Sequence, residues 1–417
     1  MKILYLNFDR GIPVLGDKGA SVHVREFVKA AADLGHDVLL ACATLGTGNA
    51  PPPARLVELP IDDSPQLLEK QRASLSIDDS TLDATVLRRE LVRIAYDSEV
   101  AARVFDSLAA RGFSPDFIYE RHALFSSAGV GIAARVGCPR ILEVNAPLVD
   151  EQRRFRGLCL EQVARRMESE SFRGADHVVT VSEAVRQHVQ AAGGVNSERL
   201  HVIPNGVDVR RFGAAYGREA LRVRIGFSPE NCAIGFVGSF KPWHGTGFLF
   251  DVFESIAAVR PGARFLGVGD GPEWERLRER ASSGGYGDRV ALVGRMPHAD
   301  IPSWIAATDI MVAPYQAAPD FYFSPLKVVE ALASGRPVVA PRIGQLVDLI
   351  DHGKNGLLYE VDDAASCREA ILELLDDPQR RLAMGRAARA GAAEQSWQRV
   401  AERVTALAAR TAVRTAA

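Results

Sequence analysis

Ser324, Pro325, Leu326, Lys327 and Glu330 stand close together in DFYFSPLKVVEALASGRPVVA, residues 320–340, and their types suit binding of an oxyanion and a diol. Serine is a favoured helix N-cap and proline fits the first helical position, so a helix is expected to open here. The free amides of its first turn favour an anion. Lys327 adds a positive charge at the same end, the wrong sign for the helix dipole. A bound anion resolves that conflict; a capped surface helix with a solvated lysine is the other reading. Lys327 and Glu330 are three residues apart and can share one helix face, the amine for a phosphate and the carboxylate for a ribose diol.

Other loops suit the same chemistry. GSFKPWHGTG, residues 238–247, offers Ser239, Lys241, Trp243 and His244 just before a helical pattern. Gly269 opens Gly-Asp-Gly-Pro, and Arg295 and Met296 sit in Gly-Arg-Met-Pro. In the first half, NFDRGIPVLGDKGASVHV brings Lys18 and Gly19 to a helix start, but its spacing is not GxGxxG, so a dinucleotide fingerprint is absent. Lysine is scarce against arginine. Lys18, Lys241 and Lys327 each lie beside glycine or proline, where a compact charge suits phosphate; a G+C-rich genome explains the arginine bias equally well.

The elements that must hold these loops follow from the hydrophobic rhythm. Short apolar runs at 3–6, 38–41, 56–59, 117–119, 141–144, 178–181 and 201–203 alternate with helical stretches, among them 20–34, 81–110 and 126–136. After VIPNGVDVRRF, residues 202–212, the rhythm restarts with runs at 233–237, 265–268, 290–293, 310–313, 338–340 and 357–359. This predicts an α/β protein of two Rossmann-like, doubly wound domains facing a central cleft, with ligands at the carboxyl ends of the strands. The expected division is 1–206, 207–385 and a C-terminal helix over 386–417, with helix continuing from residue 376.

Composition agrees with that. The 417 residues are 47% hydrophobic, enough for two cores, and the formal net charge of -2 speaks against a nucleic-acid partner. Five scattered cysteines without metal spacing suggest reduced thiols in a cytoplasmic protein. No apolar run approaches a membrane span, and the first residues read as a strand rather than a signal peptide.

The stretch from Ser324 through EALASGRPVVAPRIGQLVDLIDHGKNGLLY, with VIPNGVD and the Gly-Asp-Gly-Pro loop, resembles glycosyltransferase family 4. YERHALFSSAG and ILEVNAPL resemble one branch of it. The resemblance implies the GT-B fold, a nucleoside-diphosphate sugar as donor, retention at the anomeric carbon, and no metal or cofactor. It implies that Glu330 binds the ribose, that 324–327 and Gly19 meet the diphosphate, that Arg295 and Met296 meet the base, and that the helix around Trp397 returns to the first domain.

The departures lie at charged positions. Tyr322 stands where the family commonly has a second glutamate, and Ser239 and His244 stand where it has an arginine and a lysine. Lys241 and Lys327 are the expected replacements. Arg121 stands at the family's histidine, flanked by Glu120 and His122, and these three are the candidate catalytic residues; a structural Glu-Arg pair is the alternative. His23, Glu143 and Asn145 are candidates for the acceptor, with core packing or capping as alternatives, and Asp208 is expected to hold the interdomain turn. The expected activity is transfer from a GDP- or UDP-linked sugar to a small soluble acceptor, as in natural-product or small-thiol biosynthesis, without membrane association. A non-catalytic nucleotide-sugar-binding protein and a transferase acting on lipid or polysaccharide are the alternatives.

Overall fold

The computed structural model describes residues 1–77, 82–214, 217–317 and 321–416. Thr81, the first residue of the expected helix 81–110, and Asp320, the first of the 320–340 segment, lie outside the described residues. The chain divides into two compact units. The first comprises residues 1–204, 322–324 and 397 onwards; the second comprises 205–321 and 325–396.

The first unit holds a seven-stranded sheet. Its strands are β1 Lys2–Asn7, β2 Asp37–Cys42, β3 Arg55–Glu58, β4 Phe117–Arg121, β5 Arg140–Val144, β6 His177–Thr180 and β7 Leu200–Val202. The order is β3-β2-β1-β4-β5-β6-β7, and each neighbouring pair is parallel. The order therefore reverses between β1 and β4. Helices cover both faces, so β1 buries both of its sides. Leu4 and Leu6 join a core with Tyr96, Val100 and Val104 of the helix Ala84–Arg111. Tyr5 points the other way, where Phe27 of the helix Gly19–Asp33 stacks on Tyr119 at 4.3 Å. The long helix has both stop signals: Asp83 accepts from the amides of Thr85 and Val86, and Gly112 ends it at φ 55°.

The second unit holds a six-stranded sheet of β8 Cys232–Val237, β9 Ala263–Val268, β10 Val290–Leu292, β11 Ile310–Val312, β12 Val338–Pro341 and β13 Gly356–Tyr359. Its order, β10-β9-β8-β11-β12-β13, is again parallel and reverses between β8 and β11. Phe236, Phe240, Phe250, Phe253 and Phe265 form its aromatic core. Every run read as a strand in the sequence is a strand here, within two residues at either end.

The C-terminal part differs from a single helix. It is a helix Pro378–Gly391, a 3-10 turn Ala392–Gln395 and a helix Trp397–Ala416. The first two pack with the second unit and the last with the first, where it lies along the helix Gly19–Asp33. Among the described residues no helix is long and apolar enough to cross a membrane.

One close approach in the first unit constrains the sequence. Glu120 and Arg140 are buried and joined at 2.6 Å, and Arg140 also donates to the Ser171 carbonyl and hydroxyl, both at 2.8 Å. The helix Ala128–Val136 passes so near that a Cβ on Gly129 would lie 1.7 Å from the Glu120 carboxylate. Gly129→Ala is expected to break this pair and to cost about 3–5 kcal/mol, the usual consequence of stranding a buried charge. Urea denaturation followed by circular dichroism reads it, and an unchanged midpoint would contradict it.

Candidate functional site

In the second unit the loops after β8, β9, β10 and β11 carry the candidate residues. β8 is followed by Gly238, whose φ of 143° is open to glycine and strained for other residues. There is a second reason for glycine: an added Cβ would sit 2.7 Å from the Lys327 ammonium nitrogen. Gly269 after β9 backs directly onto the Gly238 carbonyl, so its role is close backbone packing of the two loops.

The helix carrying Lys327 runs Leu326–Ala333, one residue later than expected, with Pro325 rather than Ser324 at the cap position. Proline offers no side-chain acceptor, and no side chain caps this helix. The amide of Val328 donates to the Pro325 carbonyl at 3.0 Å, and among the described residues those of Leu326 and Lys327 are left for a ligand. Ser324 groups with the first unit, Pro325 and Leu326 with the second. Lys327 Nζ is buried and makes no hydrogen bond among the described residues. It lies 4.5 Å from the ring centre of Phe236 and 5.1 Å from that of Tyr315. Burial pushes its pKa down to about 7, against the pull of Glu330.

His244 supplies no charge in place of a lysine or arginine. Its Nδ1 donates to the Ser239 carbonyl at 2.6 Å, with the Ser239 hydroxyl at 3.1 Å. Burial, then the nearby Lys327, hold its pKa down at about 3, so the ring is neutral. Lys241 is exposed, with Nζ 5.0 Å over the ring of Trp243, itself 51% exposed. Lys241 and Lys327 therefore differ in kind, one solvated and one desolvated.

Glu330 is 7% exposed and accepts from His298 Nε2 at 2.8 Å. Arg211 donates to the other ring nitrogen at 3.3 Å, which fixes the tautomer of His298 and aims its hydrogen at Glu330. The second oxygen of Glu330 makes no hydrogen bond among the described residues. Arg211 and His298 were not singled out in the sequence. The signal was position: His298 is two residues beyond Met296 in the loop after β10, and Arg211 follows the Asn205-Gly206 turn. In that loop Arg295 is exposed and Met296 partly so. Asp208 caps the short helix Val209–Gly213 that carries Arg211.

In the first unit most of the candidate side chains have partners within the fold. Glu120 is taken by Arg140, the structural pair, and is 1% exposed. The ring of His122 is buried against Phe172 with Nε2 3.6 Å from Glu168, and neither nitrogen has a hydrogen bond among the described residues. These two point to one face of β4 and Arg121 to the other, as strand alternation requires. Glu120 is thus occupied by Arg140, and His122 stands between Phe172 and Glu168. Arg121, His23 and Glu143 form one buried cluster: Glu143 accepts from Tyr119 at 2.6 Å, His23 at 2.8 Å and Arg121 at 3.3 Å. Burial pushes the Glu143 carboxyl up, but His23, Arg121 and Tyr119 outweigh it and hold the pKa at about 2. Trp397 meets the His23 ring edge-on at 4.8 Å. Asn145 is half-buried and its amide nitrogen has no hydrogen-bond partner among the described residues, so it alone of the three acceptor candidates keeps an unspent buried donor there. Gly19 is exposed at the first position of its helix, which also lacks a side-chain cap. Tyr322 spends its hydroxyl on Glu151.

Comparison with known proteins supplies a family. Residues 18–211 match Glycosyltransferase Family 4, and residues 231–377 match Glycosyl transferases group 1. The chain is 32% identical over 236 residues, 55% of its length, to a GDP-mannose-dependent monoacylated alpha-(1-6)-phosphatidylinositol monomannoside mannosyltransferase of Corynebacterium glutamicum. It is 28% identical over 308 residues, 70% of its length, to D-inositol 3-phosphate glycosyltransferase 1 of Catenulispora acidiphila, of which 71% is covered. The match covers 61% of the Corynebacterium protein and 50% of a lipopolysaccharide core mannosyltransferase of Rhizobium meliloti, so the chain spans little more than half the length of these relatives. Among solved structures, HepE of Anabaena in complex with UDP superposes with a TM-score of 0.68 at 21% identity, covering 97% of this chain and 100% of that one. Sucrose-phosphate synthase of Thermosynechococcus elongatus gives 0.72 at 18% identity and 99% coverage of both chains. These likenesses establish the GT-B fold, and the two domain matches, which between them take in both units, place the chain in glycosyltransferase family 4.

Proposed function

We propose that the protein transfers a sugar from a UDP- or GDP-linked donor to a small hydroxylated acceptor, with retention at the anomeric carbon and without a metal. The carrying observation is the buried, unpartnered Lys327 ammonium at the uncapped start of the helix Leu326–Ala333, one turn before Glu330. A departing nucleoside diphosphate needs positive charge and amide donors, and a desolvated ammonium supplies more stabilisation than one in water. Lys327 and the first-turn amides meet the diphosphate in this reading, with Lys241 at its edge. Glu330 receives the ribose diol on its open oxygen, while His298 holds the other. Retention follows from the family resemblance. Both bases are retained because the Corynebacterium relative is named for GDP-mannose and the Anabaena structure contains UDP.

Two outcomes test the site. Lys327 is half neutral at about pH 7 without ligand, and a diphosphate favours its charged form. Donor binding should therefore take up a proton, and affinity should fall as pH rises through 7, by up to about tenfold per unit. Calorimetry with a UDP- or GDP-sugar in buffers of different ionisation enthalpy reads the uptake, and its persistence in Lys327→Met would refute the assignment. A depressed lysine pKa also lowers stability most at pH below 7, where the buried amine is charged, and the cost fades towards the ordinary lysine range. Lys327→Met should thus stabilise the ligand-free protein by about 1–3 kcal/mol near pH 6, and less near pH 9.

Glu330→Gln removes the charge that accepts from the diol and from His298. It should weaken donor binding by about 1.5–3 kcal/mol while the protein stays folded. Donor affinity equal to wild type, measured by calorimetry, would remove Glu330 from the site.

A further inference from the structure

The proposed transfer needs a second substrate, and the first unit contains a recess for one. It is a small, open recess at the carboxyl ends of β1 and β4. That is where the order of the sheet reverses, the usual ligand position in such sheets. Phe8 follows β1, Phe125 follows β4, and Tyr96 comes from the helix Ala84–Arg111. Their rings line the recess, and Phe8 meets Tyr96 edge-on at 5.9 Å. Phe125 is held at φ 59°, in the left-handed region that a non-glycine residue rarely occupies. Such strain gathers where a loop is shaped for a ligand.

The polar groups of the recess divide into spent and unspent. Asp97 accepts from the Ser126 hydroxyl at 3.1 Å and from the amides of Ser127 and Ala128 at 2.9 Å, so it is occupied in holding the β4 loop. Tyr96 donates to the Leu59 carbonyl at 3.0 Å. Arg93 and Arg10 remain. Neither forms a hydrogen bond or ion pair among the described residues, although Arg93 is partly buried. Burial pushes the Arg93 pKa down; Asp9 and Glu90 work against this, while Arg156 and Arg89 add to it. The Arg93 donors face the open recess and none is spent on the protein among the described residues, so the guanidinium is available to an oxyanion. Guanidinium matches phosphate in a two-pronged geometry.

We infer that this recess anchors the phosphate of the acceptor, a phosphate ester of a polyol, with Arg93 as the principal ligand and Arg10 as the second. The acceptor role rests on the glycosyl-transfer reading; the anion site does not. The phosphate belongs either to a free polyol phosphate or to a phospholipid headgroup.

The full chain is titrated with glycerol 3-phosphate, with glycerol as control, and in a parallel arm with phosphatidylcholine vesicles containing phosphatidylinositol. Glycerol 3-phosphate should bind and glycerol should not. Arg93→Gln should weaken binding at least about tenfold, Arg93→Lys less, and Arg10→Gln, at an exposed position, by a smaller factor. UDP or GDP binding by each variant confirms that it is folded. Arg93-dependent binding of the vesicles alone supports the same site and assigns the phosphate to a lipid. Probe binding unchanged in Arg93→Gln, or absent from the wild type at millimolar concentration, overturns the inference. Arg93-dependent phosphate binding in a protein that binds no nucleotide would sink the transferase reading and leave the anion site standing.

Discussion

An ammonium group buried without a hydrogen-bond partner is the constraint around which the second unit is organised. Lys327 Nζ sits against the faces of Phe236 and Tyr315, which compensate in part for its lost hydration. Gly238 has no side chain because that nitrogen occupies its space. His244 is neutral partly because Lys327 is near. The family positions that usually carry charge are Ser239, His244 and Tyr322 here, and none carries it. One positive charge stands on the rim, on Lys241, and another inside, on Lys327. That placement costs stability in the empty protein and strengthens the field where a diphosphate would bind.

The first unit shows the reverse economy: its buried charges are paired. Arg140 answers Glu120, and Glu143 is met by His23, Tyr119 and Arg121. Removing one partner from such a set is costly, whereas the complete set fixes strand β4 between two packed faces. The residues nearest the family's catalytic position are thus tied into the framework by their contacts. Among the described residues, the Asn145 amide and the arginines at the switch point between β1 and β4 are left without hydrogen-bond partners.

Much of this was legible in the sequence, and the limits have physical causes. The strands were visible because parallel strands covered on both faces read as continuous apolar runs, and their stop signals were glycines and prolines. The Lys327–Glu330 pairing was visible because helix spacing is local. The helix start was missed by one residue, since serine and proline can occupy adjacent cap positions. Glu120, Arg121 and His122 could not be sorted by sequence. Alternation says that they point to two faces, but only the fold says that one face meets Arg140 and Phe172 and the other meets Glu143. His298 and Arg211 are 87 residues apart and meet only in the folded chain, so their hold on Glu330 had no sequence signature. Arg93 was hidden for the same reason, inside a long helix whose other charges are ordinary surface groups.

The choice of lysine at position 327 follows from the same constraint. Arginine keeps its proton under all ordinary conditions, so a guanidinium in that position would be a buried, permanent charge whenever the site is empty. Lysine can release its proton when desolvated and recover it when an anion arrives. With its pKa held at about 7, Lys327 has both states within reach near neutrality. The empty unit is spared much of the cost of a buried cation, and the occupied one gains a full charge against the phosphate. A methionine would remove the cost and the charge together. The position therefore asks for a group that is apolar enough to be stored between Phe236 and Tyr315 and basic enough to answer a diphosphate, and lysine is the side chain that meets both demands.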